Sequence, residues 1–198
     1  MPSHETIAAI ATPPGTGGIG ILRLSGSRAL AIGEAISASK IKPGLIQFRQ
    51  FFDADGAVLD HGLCLYFKAP HSFSGEDCVE IQAHGGPIVL DMLLERLCEL
   101  GAQLARAGEF SERAFLNGKL DLTQAEAIAD LIESGSRAAT RAAMRSLQGR
   151  FSQQVHSLID EIINLRAHIE AALDFAEEEI DFLKSSDISQ RLKDCGQH

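Results

Sequence analysis

The last proline in the chain is Pro87, and for most of the length beyond it the apolar residues fall into a helical register. Between about Ser136 and Phe175, Met144, Leu147, Phe151, Val155, Leu158, Ile162, Leu165, Ile169 and Leu173 recur at three- or four-residue steps, with no proline between them. That period puts them on one side of an α-helix, so the sequence predicts a single long helix over about 136–175. A stripe of this length has to be covered. The helix before it and the segment after Asp187 are both short, so cover is expected from another chain or from segments that are missing here. The first 118 residues hold all six prolines and nearly all the strand-like runs. The expected class is therefore α+β: a mixed α/β N-terminal domain over 1–118, then an incomplete all-α helical domain over 119–198.

At 198 residues the chain is long enough to bury one or two cores. Its formal charge of −9 divides almost evenly at residue 119, which argues against wholesale coating of nucleic acid but leaves room for a local basic stripe. Cys64, Cys78, Cys98 and Cys195 form no C-x-x-C pair, so they read as reduced thiols rather than a zinc ribbon or a thioredoxin motif. No basic-then-apolar leader opens the chain, and no apolar run reaches about 18 residues. A soluble, cytoplasmic protein without a membrane partner is expected.

Gly15, Gly17 and Gly20 have the G-x-G-x-x-G spacing of a dinucleotide loop. Such a loop follows a strand and opens a helix whose N-terminus holds the pyrophosphate. Here Pro13 and Pro14 interrupt the approach, and "IGILRLSG" alternates with the period of a strand. Glu34 stands at about the distance expected of a ribose ligand but falls inside the next helix, "RALAIGEAISAS", for which Ser25 or Ser27 can be the cap. A Gly-Pro turn between strands is the preferred reading, with a dinucleotide-dependent oxidoreductase as a rival.

Further along, "LIQFRQFF" and "AVLDHGLCLYF" flank "DADG" as a hairpin, and "KAPHSFSGED" reads as loop. "DCVEIQAHGG" alternates, with Val79, Ile81 and Ala83 toward a core and Cys78, Glu80, Gln82 and His84 on a face that is wet or lines a site. Pro87 opens an amphipathic helix ended by Gly101, and Thr123 with Glu126 makes a capping-box pattern for a helix reaching about Glu133.

Three residues stand out chemically. Glu80 can hold the N–H and amino edge of a flat heterocycle through two charge-assisted bonds, or it can be a solvated strand glutamate. Arg23, in an apolar strand, needs an anionic ligand, a carboxylate neighbour or an exit to water. Lys119, in "NGKLDL", can reach an anion or sit in a solvated turn. Arg137, Arg141 and Arg145 share a helical face that can follow an RNA backbone or be solvated, and Glu177, Glu178, Glu179 and Asp181 read as an acidic patch without calcium-loop spacing. The seven histidines give no H-x-x-x-H pair, and neither a G-x-S-x-G elbow nor a Walker loop is present.

Taken together, "TIAAIATPPGTGGIGILRLSG", "GEDCVEIQAHGGPIVLDMLLERL", "GEFSERAFLNGKLDLTQAEAIADLI" and "RSLQGRFS" resemble the N-terminal part of the MnmE (TrmE) tRNA modification GTPases over nearly all of residues 5 to 183. The resemblance implies an α/β domain that binds 5-formyltetrahydrofolate or another one-carbon tetrahydrofolate and forms a homodimer, then a helical domain into which a Ras-like G domain is inserted. It implies matching folate contacts at Arg23, Glu80 and Lys119. It also implies the flavoprotein MnmG and tRNA as partners, and aminomethyl or carboxymethylaminomethyl modification of the wobble uridine. In this family GTP, magnesium and potassium belong to the G domain, which is absent from these 198 residues, as is the C-terminal Cys-Ile-Gly-Lys motif. The expectation is a truncated member that binds folate without hydrolysing GTP, with a non-catalytic module docking MnmG or tRNA as the alternative. Thr16 stands where the family commonly carries Arg, which puts an anion contact from that side chain in doubt.

Overall fold

The computed structural model describes residues 5–174. The chain divides into two compact units between Asp121 and Leu122. Lys119, expected to open the helical domain, lies at the end of the first unit.

The first unit contains strands β1 (Ile7–Ile10), β2 (Gly17–Ser25), β3 (Ile46–Phe52), β4 (Val58–Phe67), β5 (Cys78–Gly85) and β6 (Gln103–Leu104). Its helices are α1 (Ala29–Ile36), α2 (Pro87–Glu99) and α3 (Glu109–Leu116). The strands form one mixed sheet in the order β3-β4-β5-β2-β1-β6, antiparallel except for the β1–β6 pair. Alternation sorts the two faces as the sequence predicts. Leu22 and Leu24 of β2 and Val79 and Ile81 of β5 are fully buried against Ile32 and Ile36 of α1 and Leu93 and Leu97 of α2. Each such leucine contributes about 2 kcal/mol from lost apolar exposure, so this layer carries much of the unit's stability. Gly20 is bare because the α2 side chain Leu90 approaches within 2.5 Å of where a Cβ would sit.

Between β3 and β4, Asp53 closes the predicted turn by accepting from the backbone N–H groups of Asp55 and Ala57 at 3.0 and 2.7 Å. Neither Ser25 nor Ser27 is the N-cap of α1. Arg28 holds that position, and its backbone N–H donates to Thr6 Oγ1 at 2.9 Å. Pairing with Ile7 of β1 and Cys78 of β5 keeps Ser25 a strand residue, so its hydroxyl is spent elsewhere.

The second unit contains α4 (Leu122–Glu133), α5 (Arg137–Leu147) and α6 (Arg150–Asp174). The single helix expected over about 136–175 is therefore two helices. Gly149 adopts φ +80°, a left-handed conformation that ends the α-helical path. Around it the N–H of Gln148 donates to Met144 and that of Gly149 to Ser146, while Gln153 opens the next helix by donating to Gly149. Only two residues separate α5 from α6, so the apolar rhythm runs through the break undisturbed and does not report it. Ser136 caps α5 by accepting from the N–H of Ala139 at 3.2 Å. Helix α4 starts at Leu122, one residue before the threonine of the predicted capping box, and the Thr123 hydroxyl shares a hydrogen bond with Ser152 of α6. Along the stripe Leu165 is buried, whereas Phe151 and Ile162 remain about half exposed at 51% and 50%. Phe175, the acidic run Glu177–Asp181 and Cys195 lie outside the described residues.

Candidate functional site

The antiparallel register of β2 and β5 sets Arg23 directly opposite Glu80, on the sheet face turned away from α1 and α2. The two side chains meet. Arg23 Nε and Nη2 donate to Glu80 Oε1 at 2.9 and 2.7 Å, so both bonds converge on one oxygen. Among the described residues no hydrogen bond to Glu80 Oε2 is found. The guanidinium also lies 5.4 Å from the ring centroid of Phe73 and 5.7 Å from that of Phe110, within cation–π range of both. Of the outcomes open to Arg23, pairing with a carboxylate is the one observed, and that carboxylate is the other strand residue with binding chemistry.

Phe73 belongs to the loop 68–77, and a buried polar network fixes that loop. Arg113 of α3, only 6% exposed, donates to Glu76 Oε2 at 3.1 Å, to Glu109 Oε1 at 2.9 Å and to the carbonyl of Glu5 at 2.9 Å. Ser25 donates to Glu76 at 2.7 Å and shares a hydrogen bond with Ser74, whose carbonyl accepts from Asn117 at 2.8 Å. Burial opposes the charge on Glu109, but the Arg106 N–H and the Arg113 guanidinium outweigh it and hold this carboxyl below the ordinary glutamate value. Burial pushes the neighbouring Cys78 thiol up to about 12, so it is no nucleophile here.

Lys119 joins the site through this loop. Its Nζ donates to the carbonyl of Pro70 at 3.1 Å, and its stem packs beside Gly75, where a Cβ would stand 3.1 Å from Lys119 Cγ. Among the described residues it makes no hydrogen bond or ion pair with Arg23 or Glu80. Gly15 precedes β2 while Gly17 and Gly20 lie within it, so the glycines open a strand and not a helix and offer no helix N-terminus to a pyrophosphate.

Sequence reasoning missed Phe73, Phe110 and the loop-fixing pair of Glu76 and Arg113. The i,i+4 spacing of Glu109 and Arg113 signals one ion pair in advance. Nothing local says that a loop residue will lie over Arg23.

On the same face, further along β5, the cleft formed with β3, β4 and the start of β2 has a volume of about 290 Å³. Here Asp60, nearly buried, accepts from the backbone N–H of His84 at 2.8 Å, and its other oxygen lies 2.8 Å from His84 Nδ1. His61 packs edge-on against His84 with ring centroids 5.4 Å apart, and Phe48 lies 5.6 Å from His61. Burial works against the Asp60 charge, but the backbone and ring of His84 prevail and hold the carboxyl below the ordinary aspartate value.

Residues 6–119 match the family model described as the GTP-binding protein TrmE N-terminus, and residues 122–198 match the MnmE helical domain. The chain belongs to the MnmE family. Relatives named "tRNA modification GTPase MnmE" include that of Acinetobacter baylyi, 58% identical over 98% of this chain and 42% of its own length. Those of Pseudomonas fluorescens and Chromobacterium violaceum are 60% and 57% identical over 96% and 95% of this chain. The chain spans about 42% of the length of such MnmE relatives. The mixed sheet unit thus corresponds to the TrmE N-terminal match, and α4 to α6 lie within the MnmE helical match. Among the described residues no helix is long and apolar enough to cross a membrane.

Proposed function

We propose that the α/β unit binds a one-carbon tetrahydrofolate, 5-formyltetrahydrofolate or a close relative, in the service of 5-(carboxymethyl)aminomethyl modification of the tRNA wobble uridine. The observation that carries this reading is the Arg23–Glu80 pair set beside Phe73 and Phe110. A reduced pterin presents a ring N–H beside an amino group, and a carboxylate with an oxygen to spare is matched to that edge. Arg23 holds Glu80 oriented through two hydrogen bonds while the phenyl rings offer apolar surface to a flat ligand. Lys119, tied to the same loop, supplies a cation for a carbonyl or carboxylate oxygen of the cofactor. When bound, the folate supplies the one-carbon unit.

The same reading makes the unit a homodimer and gives the family's MnmG flavoprotein and tRNA as partners, with the work done in the cytoplasm. GTP hydrolysis with magnesium and potassium belongs to the family's G domain, whose Walker loop these 198 residues do not carry. Calorimetric titration with 5-formyltetrahydrofolate tests the folate reading. Saturable binding is expected, and Glu80→Gln should weaken it about 10- to 100-fold, the equivalent of one strong charge-assisted contact. Unchanged affinity in this variant would remove the pterin assignment, and a flat wild-type titration would leave a docking module for MnmG or tRNA.

A further inference from the structure

Residues 134–159 contain no aspartate or glutamate, although in the whole chain acidic residues outnumber basic ones 27 to 18. Arg137, Arg141, Arg145 and Arg150 fall inside this stretch, and all four are exposed. The first three advance about 12 Å along α5 within an arc of about 80°, at about 1.5 Å and about 100° per residue. They are turned away from the side of α5 that buries Ala143. Ala138 and Ala142, both exposed, flank the row on one side, so a bulky ligand can come close there. The fold does not use these charges. Among the described residues none of the four guanidinium groups makes a hydrogen bond or an ion pair, whereas every other described arginine makes at least one. Two of the four stand where a cation is unfavourable: Arg137 opens α5, Arg150 opens α6, and neither helix has an acidic residue in its first turn. A helix N-terminus carries partial positive charge, so an arginine there lowers the stability of the helix. Helix α3 has the opposite arrangement, with Glu109 and Glu112 in its first turn.

Four unpaired guanidinium groups, added to the positive ends of two helices, concentrate a cationic field on a chain whose formal charge is −9. Such a field suits a partner that brings closely spaced negative charges of its own. We propose that this arginine row is a contact surface for the phosphate backbone of tRNA. The proposal rests on the reading of tRNA as a partner, and it says which face of the helical unit the RNA meets. Guanidinium groups bind phosphate oxygens through paired hydrogen bonds. A step of four residues sets them about 6 Å apart along the helix axis, within reach of successive phosphates of one strand. The even repeat favours a polymer with repeating charges over an acidic patch on a protein. Helix α5 carries no aromatic side chain to stack on a base, so the contact positions the RNA without reading its sequence.

The test is fluorescence anisotropy of a labelled, unmodified tRNA transcript titrated with the full chain at several potassium chloride concentrations. The wild-type chain should bind, and its affinity should fall as salt rises. Changing all four arginines to glutamine should weaken binding at least about 30-fold at low salt and lower the slope of log affinity against log salt by about 3. The loss should be equal for transcripts with uridine or cytidine at the wobble position. Arg141→Gln alone should weaken binding severalfold, whereas Lys40→Gln, which removes the same charge from the sheet unit, should leave it unchanged. A second variant keeps folding and binding apart. Arg137→Glu with Arg150→Glu reverses two charges at helix N-termini, so it should raise the thermal midpoint of the helical unit while weakening the RNA complex. Wild-type affinity and slope in the fourfold variant would overturn the arginine surface and leave the tRNA reading standing. Unchanged tRNA affinity with lost binding of MnmG would overturn it too, in favour of a protein contact. No binding by the wild-type chain at low salt would remove the surface and direct tRNA contact by this chain together.

Discussion

At the scale of single residues, the sheet unit concentrates charge that the fold has committed to particular partners. Asp60 is the clearest case. Its carboxyl is held below the ordinary aspartate value, so it favours the folded state above its unfolded value near pH 4, and that contribution is lost as pH falls through the lower folded value. Asp60→Asn should therefore lower stability at neutral pH and flatten the acid limb below about pH 4, read as urea midpoints measured across pH. An acid limb as steep as in the wild-type chain would show that Asp60 is not linked to folding. Arg23 and Glu80 were legible in the sequence because alternation placed both on polar positions of otherwise apolar strands. Their mutual contact was not legible, since 57 residues separate them and only the β2–β5 register joins them. His84 was read onto the same polar face, but its contact with Asp60 escaped for the same reason, a pairing of strands that no local pattern announces.

At the scale of elements, the strands and their inward faces follow from period-two alternation, and α2 from its proline start and glycine stop. The break between α5 and α6 was hidden because Gly149 occupies a position that the apolar rhythm does not use. Its φ of +80° costs a side chain with Cβ about 1 kcal/mol, and Gln124 Nε2 stands 3.6 Å from the Cβ that alanine would add, which is ordinary contact and no clash. Gly149→Ala should accordingly destabilise the helical unit by about 1 kcal/mol through backbone strain alone, measured by chemical denaturation followed at 222 nm. A neutral or stabilising result would mean that the two helices can join into one. The start of α1 teaches the same lesson at smaller size: strand pairing claimed Ser25, and Arg28 became the N-cap, with no side-chain cap and its own N–H donating to Thr6.

Over the whole molecule, the two units bury their apolar residues very differently. The sheet unit encloses a contiguous core from Ala8 to Ala102, whereas in α6 only Ser152 and Leu165 are buried among the described side chains. Hydrogen exchange should consequently be slowest in β2, β4 and β5, the long strands paired on both sides, and fastest along the exposed part of α6 around Ile159, Ile162 and Ile163. Equal protection in α6 and β5 would contradict this ordering.

What the sequence determined by itself was the class of each half, the inward face of β5, and the family to which four long motifs belong, because periodicity and local turn chemistry are properties of neighbouring residues. What only the tertiary structure decided was which polar residues meet. Arg23 with Glu80, Phe73 over Arg23, Arg113 with Glu76, and Asp60 behind His84 are each set by strand register or by a loop folded onto a distant helix. The free energy that selects those contacts comes from burying the core beneath them, and local sequence does not encode it.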